Sequence, residues 1–516
     1  MSRTWTTWRA LIATALVAGC GGTSSDAGRG DTAGAVFITY LGGSRYEQAR
    51  DIAVDPAGNV YVTGGTESPD FPVTAGAFQQ VHNPGTPESS AITRMDVFVA
   101  KYSPGGTLLW ATLLGGPNYD RAYAIEVDGD GQVVVAGRAG RGFPVTRGAA
   151  QTQFMGGTEA AFYGPQDGFV AKLSADGRKL LWATYFGGSD PYIIRDMDVD
   201  ASGNVYVGAT TESGSAKPPG WLAWFADGYL SSPPGGFDAV LAKMAADGSR
   251  VLWASYLGGS GLDAHLVSPP SVRVDAAGVA TITFGTASKD VETSAGAYQP
   301  DFRGGESDVF VARLSANGAR LVFGTYLGGS GNDGPAGAHG LALDGDGNAY
   351  ISGFTRSADF PTTPGAMRTK LSHATQVDGF VAKLAPDGTR LLRATFTDAN
   401  GEGVAVDARQ NVYYTGGTSL PGLPVTSNAV QRNLIGGGDG FAVKLSADFG
   451  RYLYATYLGG GASNANDSLR AIAVDSAGNI LAAGTAAPDW PVLNAYQASF
   501  GGNGDVPVVK LVPGPR

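Results

Sequence analysis

A chain of 516 residues with 79 glycines and 28 prolines is still 43% hydrophobic and lacks a collagen period, which argues for many short strands and tight turns rather than a low-complexity polymer. A formal net charge of −10, with charged residues at only 16%, leaves no electrostatic footprint for nucleic acid or an anionic lipid surface. One cysteine forms no internal disulfide, and with four histidines it makes a poor zinc inventory.

In chain order, the first element is a leader. Arg3 and Arg9 precede the apolar run Ala10 to Val17, which ends in Ala18-Gly19. A basic start, a short apolar middle and small residues at the end read as a secretory signal over residues 1–19, too short to span a bilayer. The string Val17-Ala18-Gly19-Cys20 resembles the bacterial lipobox. That resemblance implies cleavage before Cys20 and its acylation; an ordinary signal peptide with an incidental cysteine is the alternative. Residues 20–35, rich in Gly, Ser, Thr and Asp, are expected to be a flexible tether. Gly21 after the cut leans, by likeness to known lipoproteins, towards the outer membrane or cell surface.

Residues 36–512 repeat themselves, and 513–516 form a tail. A Gly-Gly pair recurs at Gly42, Gly115, Gly187, Gly258, Gly328 and Gly459, and Ala394 to Asp398 stands where a further copy is due. Each unit holds four strand-like runs, such as Ile52 to Val54, Val60 to Gly64, Asp96 to Tyr102 and Leu108 to Leu114. Asp-x-x-Gly-Asn turns recur from Asp55, Asp200, Asp344 and Asp475, where Asp bonds backbone amides and Gly takes positive φ. Each strand type occurs seven times. The chain opens on a fourth-type strand, Phe37 to Leu41, and closes on a third-type strand, Val506 to Leu511. Joined, they complete a blade. The expected fold is therefore all-β, a seven-bladed β-propeller of four-stranded antiparallel blades closed by its two terminal strands. An open solenoid would need polar caps that the sequence lacks.

These units resemble the bacterial SBBP repeat, through Ile52 to Gly64, Asp70 to Thr74, Asp167 to Leu173 and Thr325 to Gly329. The resemblance covers nearly all of 36–512. It departs in the third unit, where Trp221 to Phe225 replaces the Phe-Pro-Val-Thr string, and in the sixth, which lacks Gly-Gly. It implies a secreted or cell-surface location and no particular reaction.

Strand alternation puts tight hairpins on one face and the second-to-third loops and blade links, about 20 to 35 residues per blade, on the other. On the loop face, strings such as Phe71 to Gln79 and Phe143 to Gln151 are expected to pin loops, with Thr capping a one-turn helix. Each link carries a carboxylate: Glu47, Asp120, Asp190, Asp263, Asp333, Glu402 and Asp467. They are candidates for a ring that binds Ca²⁺ or a cationic ligand, or else caps and partners for Arg50, Arg121, Arg195 or Arg470. Trp221, Trp224 and Phe225 are a candidate surface contact for carbohydrate or protein, or else a loop packed on itself. No nucleophile elbow or metal-spaced histidine pair occurs; His82, His265, His339 and His373 share no motif.

The expectation is a lipid-anchored, monomeric binding or scaffold module without catalytic activity, working through its loop-rich face on a protein or glycan of the cell envelope. It would touch membrane by its lipid alone, bind no nucleic acid and need no cofactor beyond a possible Ca²⁺. The alternatives are a hydrolase or lyase of extracellular polymer with its site at the channel mouth, and a calcium-dependent adhesin.

Overall fold

The computed structural model describes residues 34–514 except 84, 88–92, 157–162, 189–192, 213–220, 265–267, 338, 372–376 and 462–466. The leader, Cys20, most of the tether, Asp190, His265 and His373 lie outside the described residues.

Short β-branched and aromatic runs bounded by turns fold into seven antiparallel sheets. The first blade is Glu47–Val54, Val60–Thr66, Asp96–Tyr102 and Leu108–Leu114, from axis to rim. The inner strands of the next blades are Arg121–Val127, Ile193–Val199, Ser271–Val274, the pair Asp333–Pro335 and Leu341–Leu343, Gly401–Val406 and Ser468–Val474. Each inner strand touches the next, and the last touches the first, which closes a ring around a central channel. In the fifth blade the inner strand is split in two, and in the fourth an isolated Asp263–Thr286 bridge precedes the short strand Ser271–Val274.

The last blade joins the chain ends. Ala35–Leu41 pairs antiparallel with Val506–Leu511, with Ile38 opposite Val509 and Thr39 opposite Val508. The first and last described strands are thus held in one sheet, which closes the ring.

The hydrophobic core lies between blades. Trp110, Trp182 and Trp253, on three successive rim strands, each reach the following blade. Their indole Nε1 groups donate to Ala175, Ala246 and Ala316 carbonyls at 3.0, 3.0 and 3.1 Å. On this same turn face, the third-strand cation of every blade meets the Asp of its own first turn: Lys101–Asp55, Lys172–Asp128, Lys243–Asp200, Arg313–Asp275, Lys383–Asp344, Lys444–Asp407 and Lys510–Asp475, at 2.7 to 4.0 Å. The turn geometry is as the sequence predicts: Asp55 Oδ1 accepts from the Asn59 amide at 2.9 Å, and Gly58 has φ +82°.

One expectation is corrected. The threonine of the Phe-Pro-Val-Thr string caps no helix. The Thr74 amide donates to the Ala111 carbonyl at 3.0 Å, and the Thr74 hydroxyl accepts from the Ala111 amide at 3.1 Å. The rim strand's free edge offers better partners than a lone helical turn would. Thr146 on Ala183 and Thr426 on Ala455 repeat the clamp. The aromatic before the proline does pin the loop: Phe71 packs on Phe98 with ring centroids at 5.0 Å, and Phe143 on Phe169 at 4.4 Å.

Candidate functional site

The link carboxylates turn back on their own links. In five of the six Gly-Gly links the amide of the second glycine donates to the acid: Gly43 to Glu47 (3.0 Å), Gly116 to Asp120 (2.6 Å), Gly259 to Asp263 (2.7 Å), Gly329 to Asp333 (2.6 Å) and Gly460 to Asp467 (2.8 Å). All five acids are buried. Glu402, in the blade without Gly-Gly, is half-buried and instead pairs with Arg470 at 3.2 Å. Among the described residues, no group of three or more His, Cys, Asp or Glu side chains gathers as a metal site.

Beside each link stands a second acid, at or next to the start of the third strand. The glutamine of the loop string joins the two parts: Gln431 Oε1 accepts from Gly459 N at 3.0 Å while its Nε2 donates to Asp439 at 2.6 Å. Gln299 does the same between Gly328 and Asp308, and Gln497 between Gly42 and Asp505. A side chain on the first glycine has no room: a Cβ on Gly328 would lie 2.3 Å from Asp308 Oδ1 and 2.9 Å from Asp333 Oδ2. Burial pushes Asp120, Asp167, Asp238, Asp308 and Asp439 up to about 7, and Asp505 to about 6. These acids and glutamines hold the loops.

The sequence places Trp221 to Phe225 at the surface; the structure corrects this for two of its aromatics. Trp221–Phe225 is a helical turn whose i and i+4 rings, Trp221 and Phe225, are buried against Phe186 and Tyr256. Trp224 stacks on Phe186 at 5.7 Å and is half-buried, and Leu222 is exposed.

The polar constellation that sequence reasoning missed lines the channel. A β-bulge interrupts five inner strands and leaves one residue unpaired on each: Arg50, Tyr123, Arg195, Glu402 and Arg470. The bulge re-aims that side chain. Arg50, Arg121 and Arg195 place their guanidinium carbons 5.1, 4.8 and 4.9 Å from the Tyr123 ring centroid, and Arg138 is 5.7 Å away. Arg138 also lies 4.8 Å from the Tyr119 ring and 4.0 Å from that of Tyr163. Arg121 donates to the Tyr123 hydroxyl. Because strands enter each blade from the loop face, this cluster sits at the loop-face mouth.

Deeper in the channel the signs reverse. His339, from the broken strand of blade five, reaches across to the Tyr123 carbonyl at 3.1 Å, to Asp196 at 3.3 Å and to Asp51 at 3.8 Å. Burial opposes charge on the imidazole, but Asp51 and Asp196 outweigh it and raise its pKa. Both acids also tie neighbouring inner strands: Asp51 accepts from the Ile125 amide at 2.8 Å and Asp196 from Val272 at 3.0 Å. Arg273 pairs with Asp196 at 2.7 Å. The channel is thus plugged by side chains below its cationic mouth.

Burial and then Arg138, Arg121, Arg195 and Arg50 act in opposite senses on Tyr123, and the four cations win, holding its hydroxyl well below the usual phenol range. Burial and the neighbouring Arg121 pull Arg50 down to about 9. A groove of about 600 Å³ between the last two blades on the turn face is lined by Asp407, Lys444 and Asp475, and its two acids are paired with Lys444 and Lys510.

The repeat described as SBBP, Beta-propeller repeat, matches residues 36–72, 181–214 and 453–486, each running from a rim strand through the next inner and second strands. No curated protein matches. Among solved structures, similarity is to quinohemoprotein alcohol dehydrogenase from Comamonas testosteroni (12% identity, 94% of this chain and 77% of that one, TM-score 0.43). It extends to Kuenenia stuttgartiensis hydrazine synthase (10% identity, 86% and 92%, TM-score 0.42). The WD40 beta propeller domain of Doa1 is similar at 10% identity, 92% and 97% coverage and TM-score 0.40. At such scores none of these likenesses bears on what this chain does. With seven blades closed through the chain ends, the chain is a seven-bladed β-propeller carrying SBBP beta-propeller repeats at three of its blade junctions.

Proposed function

We propose that this protein is an exported, lipid-anchored binding module that engages its ligand through the loop-rich face at the channel mouth. The observation that carries the reading is an asymmetry of charge. On the turn face every third-strand cation meets an Asp of its own blade. On the loop face Arg50, Arg121, Arg138 and Arg195 crowd together with no carboxylate partner among the described residues. Long loops over a rigid ring with unmatched charge at their centre are the arrangement of a recognition surface. Anchoring rests on the lipobox-like string at Cys20. Cys20→Ser is expected to move the protein from the membrane to the soluble fraction of exported protein; unchanged fractionation removes the anchor from the account.

A second reading has one observation in its favour. The Tyr123 hydroxyl, held below its usual pKa by surrounding guanidiniums, suits a general base in a lyase or hydrolase of extracellular polymer. Turnover of a polymer by the wild type, lost in Tyr123→Phe with binding retained, would favour the enzyme.

A further inference from the structure

We propose that Arg50, Arg121, Arg138 and Arg195 form a binding site for a phosphate or sulfate group carried by an extended ligand. The inference rests on the loop-face reading above and names the chemistry of its ligand. The four residues come from four strands, two in one blade and one in each of its neighbours. Arg121 and Arg138 belong to the second blade, Arg50 to the first and Arg195 to the third.

The first argument is local and concerns repetition. At the second-strand position of Arg138 the other six blades carry Gly65, Thr210, Gly285, Phe354, Gly417 and Thr485. Arg138 stands directly opposite Arg121 in the strand register. Like charges placed opposite each other destabilise a sheet. One blade in seven therefore accepts a repulsive pair that its siblings avoid, and a repeat under structural selection alone has no use for it.

The second argument is one of unmet bonding capacity. Arg121 and Arg138 are only 7% and 5% exposed, yet the Nε atoms of Arg50, Arg121, Arg138 and Arg195 all lack a partner. The guanidiniums of Arg50 and Arg195 are half-buried and make no hydrogen bond or ion pair among the described residues. Each guanidinium offers five donors in a planar fork suited to a tetrahedral oxyanion. The acids deeper in the channel are already engaged, Asp196 by Arg273 and Asp51 by backbone amides of Ile52 and Ile125. A Tyr123 phenolate would supply one negative charge against four positive ones. A doubly charged oxyanion balances the remainder better than a single carboxylate does, and a low-dielectric wall of tyrosines strengthens the attraction. Tyr163, half-buried beside the cluster, offers an apolar surface to whatever carries the anion.

The test is isothermal titration of the purified protein with inorganic phosphate, then sulfate, at low ionic strength and near-neutral pH. The expected result is saturable single-site binding that weakens as salt is raised. Arg50→Gln and Arg195→Gln each weaken it at least about tenfold, since a hydrogen bond to a charged group contributes about 1.5–3 kcal/mol. Arg178→Gln, on the turn face, leaves it unchanged. A fold control comes with the design: removing one repelling cation should hold or raise the melting temperature of the unliganded protein. Absence of binding by both anions at tens of millimolar, or equal binding by all variants, overturns the proposal. Sulfated and phosphorylated polysaccharides distinguish the two sources of the group. Binding of neutral glycans alone would leave the loop-face module standing while the oxyanion site fails.

Discussion

The indole of Trp182 occupies the space where a side chain on Gly248 would begin: a Cβ there would lie 2.3 Å from the ring. Gly248 has φ +68°, which favours glycine in its own right, and the Trp182 Nε1 closes on the Ala246 carbonyl beside it. One blade's rim aromatic thus seats on the next blade's turn. Gly248→Ala should destabilise by at least about 2 kcal/mol through backbone strain and overlap. Trp182→Ala should cost about 3–5 kcal/mol. Thermal or urea unfolding measures both.

The same joint is built in reverse between blades five and six. Arg393 replaces the rim tryptophan, and Phe449, at φ +59°, replaces the turn glycine and packs on Tyr350. The Met367 amide still bonds the Phe449 carbonyl, as Ala150 does that of Gly248, so the positions correspond. Arg393→Trp alone should destabilise by about 1–3 kcal/mol through overpacking. Phe449→Gly alone leaves a cavity and should cost about 3–5 kcal/mol. The double variant should recover at least about 1 kcal/mol relative to their sum; strict additivity in a double-mutant cycle would show the two sites do not meet.

Stability should fall as pH rises through the neutral range. Asp120, Asp167, Asp238, Asp308 and Asp439 hold protons to about 7 because they are buried, whereas in the unfolded chain they release them near 4. Between those values the folded state binds more protons, so this stabilisation is complete below about pH 4 and lost through about pH 7. His339, also raised, contributes with the same sign. The melting temperature should drop by at least about 3 °C from pH 5 to pH 8. A melting temperature that rises across that interval would contradict the burial of these acids.

His339 joins four blades through the channel. His339→Leu leaves Asp51 and Asp196 without their shared cation and should destabilise by about 3 kcal/mol, more at pH 5.5 than at pH 8. Denaturant titration at both values reads the difference.

The ring was legible because its signals repeat. Seven third strands beginning on Asp, and terminal strands each short of a blade, leave little else that the chain could form. The loop strings were legible as pins, but not in detail: Thr74 bonds a rim strand that only the fold brings near. The arginine mouth was not legible. Arg50, Tyr123, Arg195 and Arg470 sit at one repeat position, two residues before the strand's Ile or Met, but at a bulge, where alternation no longer says which way a side chain points. The arginines around Tyr123 also come from three blades and from two strand positions, the inner and the second. The link acids drew attention by their regularity, and that regularity reflects their bonds to the Gly-Gly amides.

The most direct test of a cationic, ligand-seeking channel mouth is a crystal structure of the protein soaked in selenate, read by anomalous scattering. The account predicts a selenium peak among Arg50, Arg121, Arg138 and Arg195 beside Tyr123. Peaks confined to the turn face, or none at the channel mouth, would contradict it.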